Sequence, residues 1–280
     1  MTLKTILTCL TTEQHTPAIL GAAIPLARRH GAHLIGLHTL EALEIYPGIA
    51  MHVTDEMFKA FNAEQKHAAE GIKAAFETRT RGEDFVSEYR LLQAQSNSAS
   101  ERMIESARAA DLVIMAHEDR EVDRYDQRRV QSAVIRHSGR PVIVVPNGYE
   151  GPEIGNRILV GWSDTREAAR AAHDALALAR PGAEITLLRV QPHGGDALRD
   201  ADLLDLSAAL ARHGASVDVR HVDGSGADGI AQALLQTGFE MGADLIATGA
   251  FGHSSAYDFV VGATTSALLK SANLPVLFSK

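Results

Sequence analysis

Near the end of the chain, "TGAFGHSSAYDFVVGATT" (248–265) sets Gly249 and Gly252 three positions apart, then runs nine residues to Gly262, Ala263, Thr264 and Thr265. Residues of these types at this spacing suit the capture of an anion. Glycine lets a ligand approach the backbone with no Cβ in the way. Thr264 to Leu269 reads as the start of a helix, and a helix N-terminus offers unpaired N–H groups with a partial positive charge, a setting for phosphate. Thr264 and Thr265 add hydroxyls, and His253 lies inside the stretch. The same glycines also read as a turn (Gly249, Gly252) and a helix cap (Gly262), because isolated glycine spacing is a weak motif. Near them stands no nucleophile beside a base, no carboxylate pair and no metal-ligand set, so the pattern points to binding rather than catalysis.

Placing such a loop requires the rest of the chain. The 280 residues suit one large domain or two of half that length, with apolar residues at 45% and charged ones at 22%, an ordinary globular composition. A net charge of −8 argues against a nucleic-acid partner held through phosphate neutralisation. Cys9 is the sole cysteine, which excludes an internal disulfide and fits a reducing compartment. No apolar run is long enough to span a membrane, and the first residues lack a signal-peptide cleavage pattern. The expectation is a cytoplasmic protein with neither nucleic acid nor membrane as partner.

The chain reads twice. "KTILTCLTTEQHTPAILGAAIPLARRHGAHLIGLHTL" (4–40) parallels "NRILVGWSDTREAARAAHDALALARPGAEITLLRV" (156–190). Likewise "AADLVIMAHED" (109–119) parallels "GADLIATGAFG" (242–252), and "AVIRHSGRPVIVVP" (133–146) parallels "ALLKSANLPVLFS" (267–279). Between the copies, "PNGYEGPEIGN" (146–156) has the Gly, Pro and Asn content of a linker, and the division falls at 1–147 and 148–280. Strands are expected near 4–10, 33–39, 84–93, 112–116 and 141–145, then near 157–162, 184–190, 216–222, 244–248 and 275–278. Runs such as "DLVIM" and "PVIVV" do not alternate polar with apolar, as befits parallel strands covered on both faces. With helices between them the fold class is α/β, two doubly wound domains. A long helix near 54–81 presents Met57, Phe61, Ala68, Ile72 and Phe76 along one side, and its counterpart near 198–213 is shorter.

With these elements in place, the glycine stretch resembles the nucleotide-binding signature of the universal stress protein family: Gly, two residues, Gly, nine residues, Gly, then Ser or Thr. The Asp-bearing turn in "GWSDTREA" and the Pro-Val that opens the last strand, "LPVLFS", resemble the family too, and the likeness covers nearly the whole chain twice. It implies a tandem universal stress protein with a five-stranded parallel sheet per domain in the order 3-2-1-4-5. It also implies ATP or AMP in the pocket of the second domain, with Mg2+ as the companion of ATP. Ser163, Asp164 and Val190 would then face base and ribose, and Gly249, Gly252 and Gly262 the phosphates, with hydroxyls from Thr264 and Thr265; His253 reads either as a solvent-facing loop residue or as a contact to phosphate. Asp164 also reads as a helix N-cap, since "SDTREA" is a good helix start. The family's strand order makes "PVIVV" and "PVLFS" edges, which should meet across a pseudo-two-fold axis so that one chain mimics a homodimer; a further homodimer of the whole chain is compatible with this. One position departs from the signature: Ala263 stands where nucleotide-binding members have Ser or Thr.

Aligned on "ADL" and "PV", the first half has Ala116 for Gly249, Asp119 for Gly252, Arg128 for Gly262 and Arg129 for Ala263. Glu118 and Asp119 would repel a polyphosphate, so nucleotide is expected only in the second half. The segment "HEDREVDRYDQRR" (117–129) reads as a mixed-charge loop rather than a metal site built on His117, Glu118, Asp119, Asp123 and Asp126. Trp162 reads as packing beneath the pocket, with stacking on a base as the alternative, and Cys9 as a small buried hydrophobe, with a redox role as the alternative. The apolar loop "EALEIYPGIAMHV" (41–53), with Tyr46, Ile49, Met51 and Val53, either packs under the long helix or covers an apolar-ligand pocket.

The leading expectation is a regulatory stress-response protein that binds an adenine nucleotide, at most hydrolysing ATP slowly. The alternatives are a nucleotide-independent scaffold or small-ligand-binding protein, and an enzyme that hydrolyses ATP or transfers adenylyl groups.

Overall fold

A computed structural model describes residues 2–42, 54–94, 98–118, 127–191, 201–224, 226–252 and 262–280. The apolar loop residues Tyr46, Ile49, Met51 and Val53, the charged segment 119–126 and His253 lie outside them.

The first half runs β1 (Thr5–Cys9), α1 (Thr16–His30), β2 (His33–Leu40), α2 (Asp55–Thr80), β3 (Ser87–Gln93), α3 (Ala99–Ala107), β4 (Leu112–Ala116), α4 (Gln127–His137) and β5 (Val142–Val145). The second repeats the plan with β6 (Arg157–Trp162), α5 (Arg166–Leu178), β7 (Glu184–Gln191), α6 (Ala201–Ala211), β8 (Ser216–Asp223), α7 (Gly226–Glu240), β9 (Leu245–Gly249), α8 (Ala263–Ser271) and β10 (Val276–Ser279). All ten strands form one sheet in the order β3-β2-β1-β4-β5-β10-β9-β6-β7-β8. Each half is therefore parallel with the expected order 3-2-1-4-5. The edges do more than run close together: β5 and β10 pair antiparallel, Ile143 opposite Leu277 with Val142 opposite Phe278 and Val144 opposite Val276. Edge strands have unpaired N–H and C=O groups, and here each half supplies the ladder that the other lacks.

Alternate residues of each central strand feed opposite faces of the sheet. Ile6, Ile143, Leu245 and Leu277 join α1, α2, α5 and α6 in one core. Leu7, Val142, Val144 and Ile246 join α3, α4, α7 and α8 in the other. Burial on both faces is why these strands carry continuous apolar runs.

The repeated "ADL" has a reason that spacing alone did not expose. Asp111 accepts the backbone N–H groups of Lys4 (2.7 Å) and Thr5 (3.0 Å) at the head of β1. Asp244 does the same in the second half, from Gly155 (2.7 Å), Asn156 (2.8 Å) and Arg157 (2.9 Å). In both halves one carboxylate pins the fourth strand of the unit to the start of its first. The linker is docked as well. Ile154 is buried, and Arg29 at the end of α1 donates to the carbonyls of Ile154 (2.8 Å) and Leu178 (2.7 Å).

Helix α2 is 26 residues long against 11 for α6. Its start is capped by Thr54, which accepts from Met57 N–H (3.3 Å), with Asp55 and Glu56 in the first turn, favourable to the helix dipole. Its buried face is shorter than the periodicity suggests: Ile72 and Phe76 are buried with Ala69, whereas Met57 is exposed.

Candidate functional site

In the second half, β6 leads to α5 on one face of the sheet while β9 leads to α8 on the other, and β6 and β9 are neighbours. The crevice at their carboxyl ends is the switch point where ligands of open α/β sheets bind. The sequence-expected residues gather around it. Gly249 ends β9, Phe251 and Gly252 follow, and Gly262 is the N-cap of α8 in the left-handed region (φ 56°, ψ 51°). Ser163, Asp164 and Thr165 form the turn between β6 and α5, and Val190 lies near the end of β7.

Each glycine of the loop has a packing reason. A Cβ at Gly249 would stand 2.6 Å from the backbone nitrogen of Ala168 and 2.7 Å from the carbonyl carbon of Glu167, so α5 would have to move. A Cβ at Gly262 would overlap the Phe251 ring, and its positive φ disfavours any other residue. At Gly252 the same construction falls 3.1 Å from Glu167 Oε2 and 3.4 Å from Thr165 Oγ1. Gly249 and Gly252 thus pack against the N-terminus of α5. Phe251 is itself held at φ 59°, unusual for a residue with a side chain. Its buried ring lies under Arg136 of α4, whose guanidinium is 3.9 Å from the ring centre, a cation–π contact that joins the halves beside the loop.

The turn after β6 corrects one expectation. The cap of α5 is Thr165, whose hydroxyl accepts from Ala168 N–H at 3.2 Å, and Asp164 is exposed one residue earlier. Thr165 alone has the extended backbone (φ −139°, ψ 152°) immediately before the first helical residue, which is what a cap requires. The hydroxyls of Ser163 and Thr165 are 3.2 Å apart. Val190 is half-buried and packs into the core; Thr265 is buried, Thr264 half-buried and Ala263 exposed. Trp162 packs against the core beneath the crevice, as expected, and donates from Nε1 to Asp202 (2.9 Å) in the first turn of α6.

Two contributors, Asp202 and Glu167, escaped the sequence reading. Asp202 also accepts from Arg189 (2.7 Å), so it ties the ends of β6 and β7 to the start of α6. Burial works against its charge, but the Trp162 hydrogen bond and the Arg189 guanidinium prevail and its pKa is lowered. Glu167 is buried in the first turn of α5, paired with exposed Arg166 at 2.7 Å. Desolvation raises its pKa, yet the Arg166 hydrogen bond and charge, the backbone and Lys280 outweigh that and the net shift is downward. The carboxylate is ionised beside the glycine loop. A buried acid so close after the cap, in "TREA", was the available signal.

The first half fills the equivalent place differently. Ala116 ends β4. His117 follows and donates from Nε2 to the Leu268 carbonyl of α8 (3.2 Å), while Gln131 of α4 donates to the Ala116 carbonyl (2.6 Å). A cavity of about 30 Å3 is found here, lined by Cys9, Met103, Met115, His117, Val130 and Gln131 among others. The Cys9 thiol is pushed up to about 12 by burial and is a packing group. Among the described residues no group of His, Cys, Asp and Glu is arranged to hold a metal ion, and no helix is long and apolar enough to cross a membrane.

The model of the Universal stress protein family matches residues 2–146 and again 155–280. The chain belongs to the universal stress protein family. Its two matches correspond to the two halves of the sheet, so it is a tandem member. A solved universal stress protein from Archaeoglobus fulgidus DSM 4304 is 19% identical, with 98% of this chain and 96% of that one covered and a TM-score of 0.70. A protein of unknown function from Pseudomonas aeruginosa PAO1 is 15% identical, covering 99% and 92%, with a TM-score of 0.56. These likenesses extend along both halves of the tandem universal stress protein and concern its fold. A universal stress protein from Archaeoglobus fulgidus solved in complex with dAMP covers 51% of this chain and 98% of its own, at 19% identity and a TM-score of 0.35. No curated protein matches the chain.

Proposed function

We propose that this tandem universal stress protein is a regulatory stress-response protein that binds an adenine nucleotide, ATP or AMP, in its second half alone. The observation that carries the reading is the position of Gly249, Gly252 and Gly262: they surround the switch-point crevice between β6 and β9 and lead into the N-terminus of α8. Unpaired N–H groups there favour phosphate. On this reading Ser163, Asp164 and Val190 line the base and ribose side, and Thr264, Thr265 and His253 belong to the phosphate side. The halves divide at 147/148.

Trp162 is the sole tryptophan and lies at the end of β6, so its fluorescence reports on the second half. Titrating the full chain with AMP and with ATP should give a saturable change in that fluorescence. A second reading, a scaffold that works without nucleotide, is favoured by the packing reason each loop glycine already has and by Ala263. No fluorescence change and no calorimetric signal with either nucleotide at millimolar concentration decides for the scaffold.

A further inference from the structure

Glu167 is a buried carboxylate beside the crevice, and its charge runs against a polyphosphate. Its side chain is 5% exposed. One carboxylate oxygen, Oε1, accepts from Arg166 Nε; the other, Oε2, lies 3.1 Å from the point where a Cβ on Gly252 would stand. Gly252 is the second glycine of the loop, where the ligand's negative charge is expected to lie. The other end of the loop is of opposite character: the first turn of α8 contains no acidic residue, and its N–H groups suit an anion.

We infer that Glu167 is a specificity-determining residue that makes the second-half crevice a site for a nucleotide with a single phosphate, AMP-like rather than ATP-like. The inference rests on the nucleotide-binding reading above and names the ligand class within it. One phosphate needs only the α8 end of the loop. Two more phosphates add negative charge to a crevice that already holds a buried carboxylate, and like charges repel most strongly where water is excluded. Arg166 offsets this incompletely, because its guanidinium is 88% exposed and screened by solvent while the carboxylate is not. The net downward shift of the Glu167 pKa keeps the charge in place at neutral pH. The arrangement belongs to this half. The first turn of α1 contains no acidic residue, whereas that of α5 contains Glu167.

The test measures AMP and ATP affinities of the full chain in EDTA, for wild type, Glu167→Gln and Arg166→Ala. Glutamine keeps the shape and removes the charge, and Arg166 is a surface residue whose loss leaves the core intact. Wild type should bind AMP about tenfold tighter than ATP. Glu167→Gln should gain about tenfold for ATP while AMP changes less than about threefold, and Arg166→Ala should weaken ATP by a few fold. If both nucleotides bind and neither variant moves their ratio, Glu167 does not select the ligand and the nucleotide reading survives. If wild type and both variants bind neither AMP nor ATP, the nucleotide reading falls and takes the inference with it.

Discussion

The two halves share a strand order, a helix plan and a carboxylate that ties β4 to β1 or β9 to β6, yet they part at the crevice. In the first half the fourth strand ends in Ala116, His117 reaches across to the carbonyl of Leu268 and Gln131 closes over Ala116. In the second, Gly249 lets α5 come within backbone contact and Gly262 lets Phe251 lie flat against the start of α8. The first half uses polar side chains at this place, where the second uses glycines that pack against Glu167, Ala168 and Phe251. The glycine spacing is therefore a packing code and, on the nucleotide reading proposed above, a ligand code as well, and the family signature alone does not separate them. Measurements that treat the halves as a matched pair do.

The largest expected difference lies in the shared carboxylate. Asp244 is buried and accepts three N–H groups, while Asp111 accepts two at a more exposed site. Asp244→Ala leaves buried donors unpaired and should cost about 3 kcal/mol or more, against about 1–2 kcal/mol for Asp111→Ala. Denaturant unfolding of both variants reads this directly. Equal losses would mean that the linker N–H groups find water when Asp244 is gone.

Much of this plan was legible in the sequence, for physical reasons. The central strands are legible because parallel strands buried on both faces need unbroken apolar runs, as in "LVIMA" and "VIVV", whereas the outer strands β3 and β8 are polar and partly exposed. The repeat then supplied the second half from the first. What local pattern could not show was contact between distant residues. Thr165 rather than Asp164 caps α5 because the backbone turns extended one residue later than "SDT" suggests. Trp162 and Asp202 are forty residues apart in the chain and meet only once α6 is docked. Glu167 is buried because Gly249 brings the end of β9 against the first turn of α5, a contact between residues more than eighty positions apart.

A smaller effect separates the two glycine codes. Gly249→Ala places a methyl 2.6 Å from the Ala168 backbone nitrogen, and backbone of a packed helix yields at a cost of about 1–3 kcal/mol. The reverse exchange in the first half, Ala116→Gly, removes a buried methyl and frees the chain, for about 1 kcal/mol. The two losses should rank in that order in thermal unfolding of the full chain. A Gly249→Ala protein as stable as wild type would show that α5 adjusts freely, and the glycine would then owe its place to a ligand.

The smallest change falls on the position that departs from the signature. Ala263 is the first residue of α8 after the Gly262 cap and is exposed, so its methyl contributes little to the core. Ala263→Ser should shift stability by less than about 0.5 kcal/mol, as surface changes away from special features do. In affinity it should appear more clearly, since a hydroxyl at a helix N-terminus donates to a phosphate oxygen and a net hydrogen bond contributes about 1 kcal/mol. AMP should therefore bind roughly five- to tenfold tighter, read by Trp162 fluorescence. The matching exchange in the first half, Arg129→Ser, should leave nucleotide affinity unchanged, because that half has Ala116 and Asp119 in place of Gly249 and Gly252. If Ala263→Ser gains nothing although wild type binds AMP, the backbone N–H groups of α8 already hold the phosphate. Tightening by Arg129→Ser instead would place the nucleotide in the first half and reverse the comparison.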